Sequence, residues 1–148
     1  MSKRTKQITI PSGKKQTKQK ENPDSFIAKK PSWRFTRAFI NDKWAIDTDN
    51  WKIWADRILP KLQSYETQTW QEIMSAPKGR GDGSKNHNIG VQKLCPDAKK
   101  LLEDNHYYID EIFSLRLTGE ERIFGILNNG VLDIVWYDNE HQICPVTR

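Results

Sequence analysis

Apolar residues first fall into a regular pattern at Trp33. Along Trp33-Arg34-Phe35-Thr36-Arg37-Ala38-Phe39, the residues Trp33, Phe35, Arg37 and Phe39 share one face and Arg34, Thr36 and Ala38 the other, which predicts a strand. Asn41-Asp42 predicts a turn, and Lys43-Trp44-Ala45-Ile46 the short partner of that strand. From Asn50 the spacing becomes helical: Trp51, Trp54, Ile58 and Leu62 form one stripe, Asp49 or Asn50 serves as cap, and Pro60 interrupts the later turns. Thr69-Trp70-Gln71-Glu72 has the spacing of a capping box and predicts a second short helix that buries Trp70 and Ile73. Pro77 to Asn88 carries no apolar side chain and reads as a long loop. Ile89 to Leu94 reads as a short strand, and Pro96 as the first residue of a helix that buries Leu94, Ala98, Leu101 and Leu102.

The alternating pattern returns at Glu111 and predicts three strands, Ile112–Leu117, Arg122–Leu127 and Val131–Tyr137. Asn129-Gly130 is the favoured pair for a two-residue hairpin turn, which sets Asn128 opposite Val131. Regular pairing from there puts Leu127 against Leu132, Gly125 against Ile134 and Ile123 against Trp136 on one face. Phe124 then meets Val135, and Arg122 meets Tyr137, on the other. A three-residue loop at Thr118-Gly119-Glu120 would set Arg116 opposite Arg122, in a row continuing to Tyr137; a loop one residue longer or shorter sends the two arginines to opposite faces. Facing arginines repel, and either an anion between them or a nearby carboxylate such as Asp133, Asp138 or Glu121 would offset that. The fold class is α+β: a small antiparallel sheet ending in a three-stranded C-terminal meander, with two or three helices packed on one side.

With 148 residues the chain has room for one ordinary domain. Its 24 Lys+Arg and 19 Asp+Glu are unevenly spread: nine of the basic and two of the acidic residues lie in residues 1–30, so that segment carries +7 and the remainder −2. Residues 1–30 therefore read as a disordered basic arm and 31–148 as the domain. Lys14, Lys15, Lys18 and Lys20 of the arm would bind phosphates by releasing counterions, or would simply keep the protein in solution. The loop adds Lys78, Arg80, Lys85 and His87 as candidate nucleic-acid contacts, and its Gly-Arg-Gly-Asp-Gly-Ser run lacks the Gly-Lys-Ser/Thr ending of a nucleotide-binding loop. No apolar run is long enough to cross a bilayer, which predicts a soluble, cytoplasmic protein with no membrane partner. Cys95 and Cys144 are too few and too far apart for a disulfide framework, and they read as free thiols. All six Trp fall at inward-facing positions of these patterns and read as core.

Trp136-Tyr137-Asp138-Asn139-Glu140-His141 closes the third strand. An imidazole with an unperturbed pKa of about 6.5 suits proton transfer at cellular pH, and Asp138 three residues earlier would orient its ring. The same spacing also fits a turn in which the Asp138 carboxylate accepts backbone N–H bonds. A metal site would need a further ligand, for which His87 is the obvious volunteer.

The run Phe113-Ser-Leu-Arg116-Leu, then Arg122-Ile-Phe-Gly-Ile, then Ile134-Val-Trp136-Tyr-Asp138-x-x-His141 resembles the RelE/ParE-like toxin superfamily, including small bacterial and phage relatives. The resemblance covers roughly Leu94 to Cys144. It implies a metal-independent ribonuclease fold needing no cofactor, whose active members cleave RNA, often on the ribosome, and are held in check by an antitoxin or other protein partner. It also implies a catalytic surface drawn from Arg116, Arg122, Tyr137 and His141. The alternative is a module without chemistry that binds nucleic acid or a protein and carries a basic tail.

Overall fold

A computed structural model describes residues 25–46, 51–77 and 85–145. The arm lysines Lys14, Lys15, Lys18 and Lys20, the loop cations Lys78 and Arg80, and the cap expected at Asp49 or Asn50 lie outside the described residues.

The five strands β1 (Ser32–Arg34), β2 (His87–Gly90), β3 (Glu111–Arg116), β4 (Arg122–Asn128) and β5 (Val131–Asp138) make one sheet in the order β1-β5-β4-β3-β2. The fold is α+β, and β3, β4 and β5 form the expected C-terminal meander. The sheet is mixed, because β1 runs parallel to β5 while all other neighbours are antiparallel. The helical elements are α1 (Trp51–Ile53), a π-helical turn (Trp54–Ile58), α2 (Leu59–Tyr65), α3 (Trp70–Ser75) and α4 (Pro96–Asp104). No helix among the described residues is long and apolar enough to cross a membrane.

Each face of the sheet has its own core. On one face, Ile58, Leu62 and Tyr65 from the helical segment before residue 66 and Trp70 and Ile73 from α3 pack on Phe113, Leu115, Ile123, Leu132 and Ile134. On the other, Ala98 and Leu102 of α4, with Leu94, Trp44 and Ile143, cover Ile112, Phe124, Val135 and Trp136. Two helices thus share one side and α4 occupies the opposite one. Trp70 is fully buried, with edge contacts to Phe26, Trp33 and Phe113 and an indole N–H donated to the Gly130 carbonyl at 2.8 Å. Burying one such ring is worth about 4–6 kcal/mol. The capping box at Thr69 forms as expected, the hydroxyl accepting from the Glu72 N–H and the Glu72 carboxylate from the Thr69 N–H.

Several expectations about local structure are corrected. The strand read over Trp33–Phe39 is only three residues long and pairs with β5 instead of forming a hairpin ladder: the chain turns after it, with the Ala38 N–H bonded to the Phe35 carbonyl, the Ile46 N–H bonds the Phe39 carbonyl, and residues 39–44 run along β5 through Phe39–Val135 and Trp44–Tyr137 backbone bonds. His87 and Asn88, assigned to the loop, begin β2, whereas Val91–Lys93 forms a 3₁₀ turn where a strand was expected. Trp51 is 68% exposed instead of core. Pro60, near the start of α2, has no N–H to give and would clash with the carbonyl four residues back, so the preceding turn widens to π geometry and the Leu59 N–H reaches the Trp54 carbonyl. The extra residue in that turn rotates Trp51 off the stripe shared by Ile58 and Leu62. Residues 25–30, placed in the arm by composition, pack on the domain through Phe26 and through the Lys29 carbonyl, which accepts from the Trp70 N–H.

The decisive correction concerns β5. The pairings Asn128–Val131, Leu127–Leu132 and Gly125–Ile134 are as expected, and then the register shifts by one: Phe124 pairs with Trp136, Ile123 with Tyr137 and Arg122 with Asp138. Val135 is the extra residue of a β-bulge, so Val135 and Trp136 both point into the core under α4 and Tyr137 turns to the opposite face. Gly125 sits at the shift because the strands close up there: a Cβ at that position would lie 2.7 Å from the Asp133 carbonyl oxygen.

Candidate nucleic-acid interface

The first turn of the meander has the three-residue form. Leu117 N–H bonds to the Glu121 carbonyl, Glu121 N–H to the Thr118 carbonyl, and Arg116 lies directly opposite Arg122. On the same face, β2 brings His87 opposite Ser114, the residue two before Arg116. The C-terminal segment then folds back beside them. Asp138 is buried, and its carboxylate accepts from the backbone N–H of Gln142 at 3.0 Å and of Ile143 at 2.7 Å. That turn holds His141 at a φ of 58°, a left-handed conformation rare for a residue with a side chain. Both Asp138 oxygens are engaged by backbone, so the carboxylate shapes the turn that carries the imidazole, the second of the two readings of this spacing.

The result is a cleft of about 320 Å³ lined by Lys85, His87, Arg116, Arg122 and His141, with Ser114 and Phe124 also in its wall. Five residues singled out from sequence are therefore brought together: two from the arginine row, one from the C-terminal turn, Lys85 from the segment before β2 and His87 from the start of β2. Tyr137 does not join them. Its hydroxyl donates to the Glu121 carboxylate on the opposite face, and burial, with that bond, pushes its pKa well up. In its place beside Arg122 stands Asp138.

Arg116 opposes Arg122 with no ion pair to either among the described residues. Arg122 donates from one guanidinium nitrogen to the Gly119 and Glu121 carbonyls at 2.8 and 3.0 Å, which folds it over the turn. Its pKa is lowered by burial and by the charge of Arg116, against a partial offset from Asp138. A cross-strand pair of like charges costs up to about 1 kcal/mol, a penalty an anionic ligand removes. Among the described residues no group of three or more His, Cys, Asp and Glu side chains is gathered as a metal site would need.

Sequence reasoning missed Asn86. It is fully buried, donates its amide N–H to the Ile73 carbonyl at 2.9 Å and accepts the Arg116 backbone N–H at 2.8 Å. It pins the chain between α3 and the end of β3, and so fixes the positions of Lys85 and His87 on either side of it. A polar residue inside a loop-like run of Lys, Asn and His carries no sequence signal of that role. The bulge did leave one, since a glycine in mid-strand is the sequence mark of a break in pairing.

A wider opening of about 610 Å³ lies at the far end of the same face, lined in part by Arg34, Arg37, Tyr108, Asn128 and Asp133. It holds no histidine, and Arg37 there is neutralised by Asp133 at 3.8 Å. Of these two openings, the smaller combines imidazoles with cations that have no ion-pair partner among the described residues. No protein family, no curated protein and no solved structure matches this chain.

Proposed function

We propose that the chain is a metal-independent endoribonuclease that binds a phosphodiester of single-stranded RNA in the cleft formed by Lys85, His87, Arg116, Arg122 and His141. The observation that carries this reading is the convergence of two imidazoles and three permanent cations in one cleft. The sequence resemblance to RelE/ParE-like toxins supports the same chemistry from the order of the arginines and the terminal histidine.

In this mechanism one imidazole takes the proton of a ribose 2′-hydroxyl, the oxygen attacks the adjacent phosphorus, and the 5′-oxygen leaves with a proton from the other imidazole. The products are a 2′,3′-cyclic phosphate and a 5′-hydroxyl. Arg116 and Lys85 balance the charge that develops on the non-bridging oxygens, with Arg122 completing the cationic wall. Tyr137 has no part in it, its hydroxyl being committed to Glu121.

The second reading, a binding module without chemistry, draws on Arg122: a guanidinium already bonded to two turn carbonyls is serving the hairpin. One experiment separates the two. End-labelled RNA is incubated with the protein in chelator, with and without ribosomes, and the products are analysed for cyclic phosphate ends. The wild type is expected to cleave, and His141→Ala and His87→Ala to slow cleavage by about 10²-fold or more. RNA retained on the protein but left intact by the wild type under both conditions assigns it to the binding class, and equal cleavage by wild type and His141→Ala removes the assigned chemistry.

A further inference from the structure

The cationic surface does not stop at the cleft. Lys61 lies on α2, one turn before Tyr65, and its ammonium sits 5.4 Å from the centre of the Tyr65 ring. The Tyr65 hydroxyl donates to the Arg116 carbonyl at 2.5 Å, so this ring spans from Lys61 to the last residue of β3. Lys61 is therefore held at the rim of the sheet, where β3 ends and the chain enters β2 through Lys85 and Asn86. Burial and the like charges of Lys85 and Arg116 lower the pKa of Lys61, which is the electrostatic sign of three cations sharing one region. Among the described residues none of the three has an ion-pair partner, whereas Lys43, Lys52 and Lys100 on the outer surface each do.

We propose that Lys61 binds the phosphate next to the one held in the cleft, so that single-stranded nucleic acid runs from the cleft over the end of β3 onto α2. This rests on the cleft being a phosphodiester site and adds the ligand's minimum length and its path. A cluster of like charges with no ion-pair partner among the described residues is unfavourable in the free protein, and a second backbone phosphate at the rim relieves it. The Tyr65 ring keeps the Lys61 stem in place, which lowers the entropy lost when the ammonium takes its ligand. A ligand with a single phosphodiester fills the cleft alone, and a longer strand gains the rim contact.

The test uses the full-length protein and 2′-deoxy oligonucleotides, which bind but cannot be cleaved by attack of a 2′-hydroxyl. A thymidine dinucleotide carries one phosphodiester and a thymidine hexanucleotide five. Lys61→Gln is expected to weaken the hexanucleotide about threefold to fivefold and to reduce the slope of log affinity against log salt by about 0.7, while leaving the dinucleotide unchanged. Lys61→Arg should keep the wild-type affinity, and Lys100→Gln, which removes an equal charge on α4, should change neither ligand. The proposal is overturned if Lys61→Gln binds the hexanucleotide as tightly as wild type does, or if it loses both ligands equally. Failure of the nuclease reading shows itself separately, as a ribose hexanucleotide that binds and stays intact.

Discussion

Asn86 has the largest influence on the site of any residue that does not face the cleft. Its amide satisfies one carbonyl of α3 and one N–H of β3, both in the interior. Removing it takes the bond from the Arg116 N–H, leaves the Ile73 carbonyl with the Ala76 N–H at 3.4 Å, and frees Lys85 and His87 from their anchor. Asn86→Ala is expected to cost about 1–3 kcal/mol in denaturant unfolding and to weaken oligonucleotide binding beyond what the lost stability explains at temperatures where the variant is still folded. Binding equal to wild type would show that Lys85 and His87 are positioned by something else. The histidines and arginines of the cleft were readable in the sequence because their residue types announce their chemistry. Asn86 was not, since a buried amide is recognised only by what surrounds it.

At the scale of elements, the hairpin of β3 and β4 is tied to the π-helical turn by a carboxylate. Glu121 is buried and accepts from the Thr118 hydroxyl, the Tyr137 hydroxyl and Arg57. Burial alone would raise its pKa; the bonds from Thr118, Tyr137 and Arg57, with the Arg57 charge, outweigh it and hold the carboxyl below its usual 4.5. A carboxyl that is more acidic in the fold than in the unfolded chain stabilises the fold above the unfolded value, and that contribution disappears as pH falls through the folded one. Glu121→Gln should therefore be less stable than wild type at neutral pH by about 1–3 kcal/mol, with the gap narrowing below about pH 4.5. Thermal melts of both proteins across that range check it, and a gap that stays constant with pH would mean that Glu121 acts through packing alone. Element types in this molecule followed periodicity well: the capping box, α4 and the Asn129-Gly130 turn stand where the pattern put them. Partners did not, because nothing local to Trp33–Phe39 distinguishes a hairpin strand from a short parallel one, and a bulge or π turn alters the phase of everything beyond it.

For the molecule as a whole, the basic excess divides between a segment at the N-terminus and a small cleft on an otherwise slightly acidic body. These two sources of phosphate affinity differ in kind. A chain beginning at Ser25, which retains every described residue, should bind RNA more weakly and with a shallower salt dependence, yet yield the same cleavage products as the full chain. Salt titrations of both chains on one RNA, with product mapping, make the comparison; unchanged affinity would show that residues 1–24 do not touch the ligand. The cleft itself is assembled from parts distant in sequence, with Lys85 and His87 some thirty residues before Arg116 and His141 well beyond it, so its composition could be listed from sequence while its closure depended on β2 joining the sheet beside β3.

The bulge at Val135 gives β5 two halves that answer to different demands. Before it, alternate residues serve the core; after it, the alternation is inverted, so a carboxylate stands beside Arg122 and a phenol faces the other way. Which of the two borders the cleft is decided by the pairing register at one point and not by the identity of either residue. Losing the bulge with every residue kept, so that Val135 pairs with Phe124, would exchange Tyr137 and Asp138 between the faces in one step, removing the acid that shapes the His141 turn and stripping Glu121 of its phenolic partner, whereas deleting Val135 alone leaves both on their present faces.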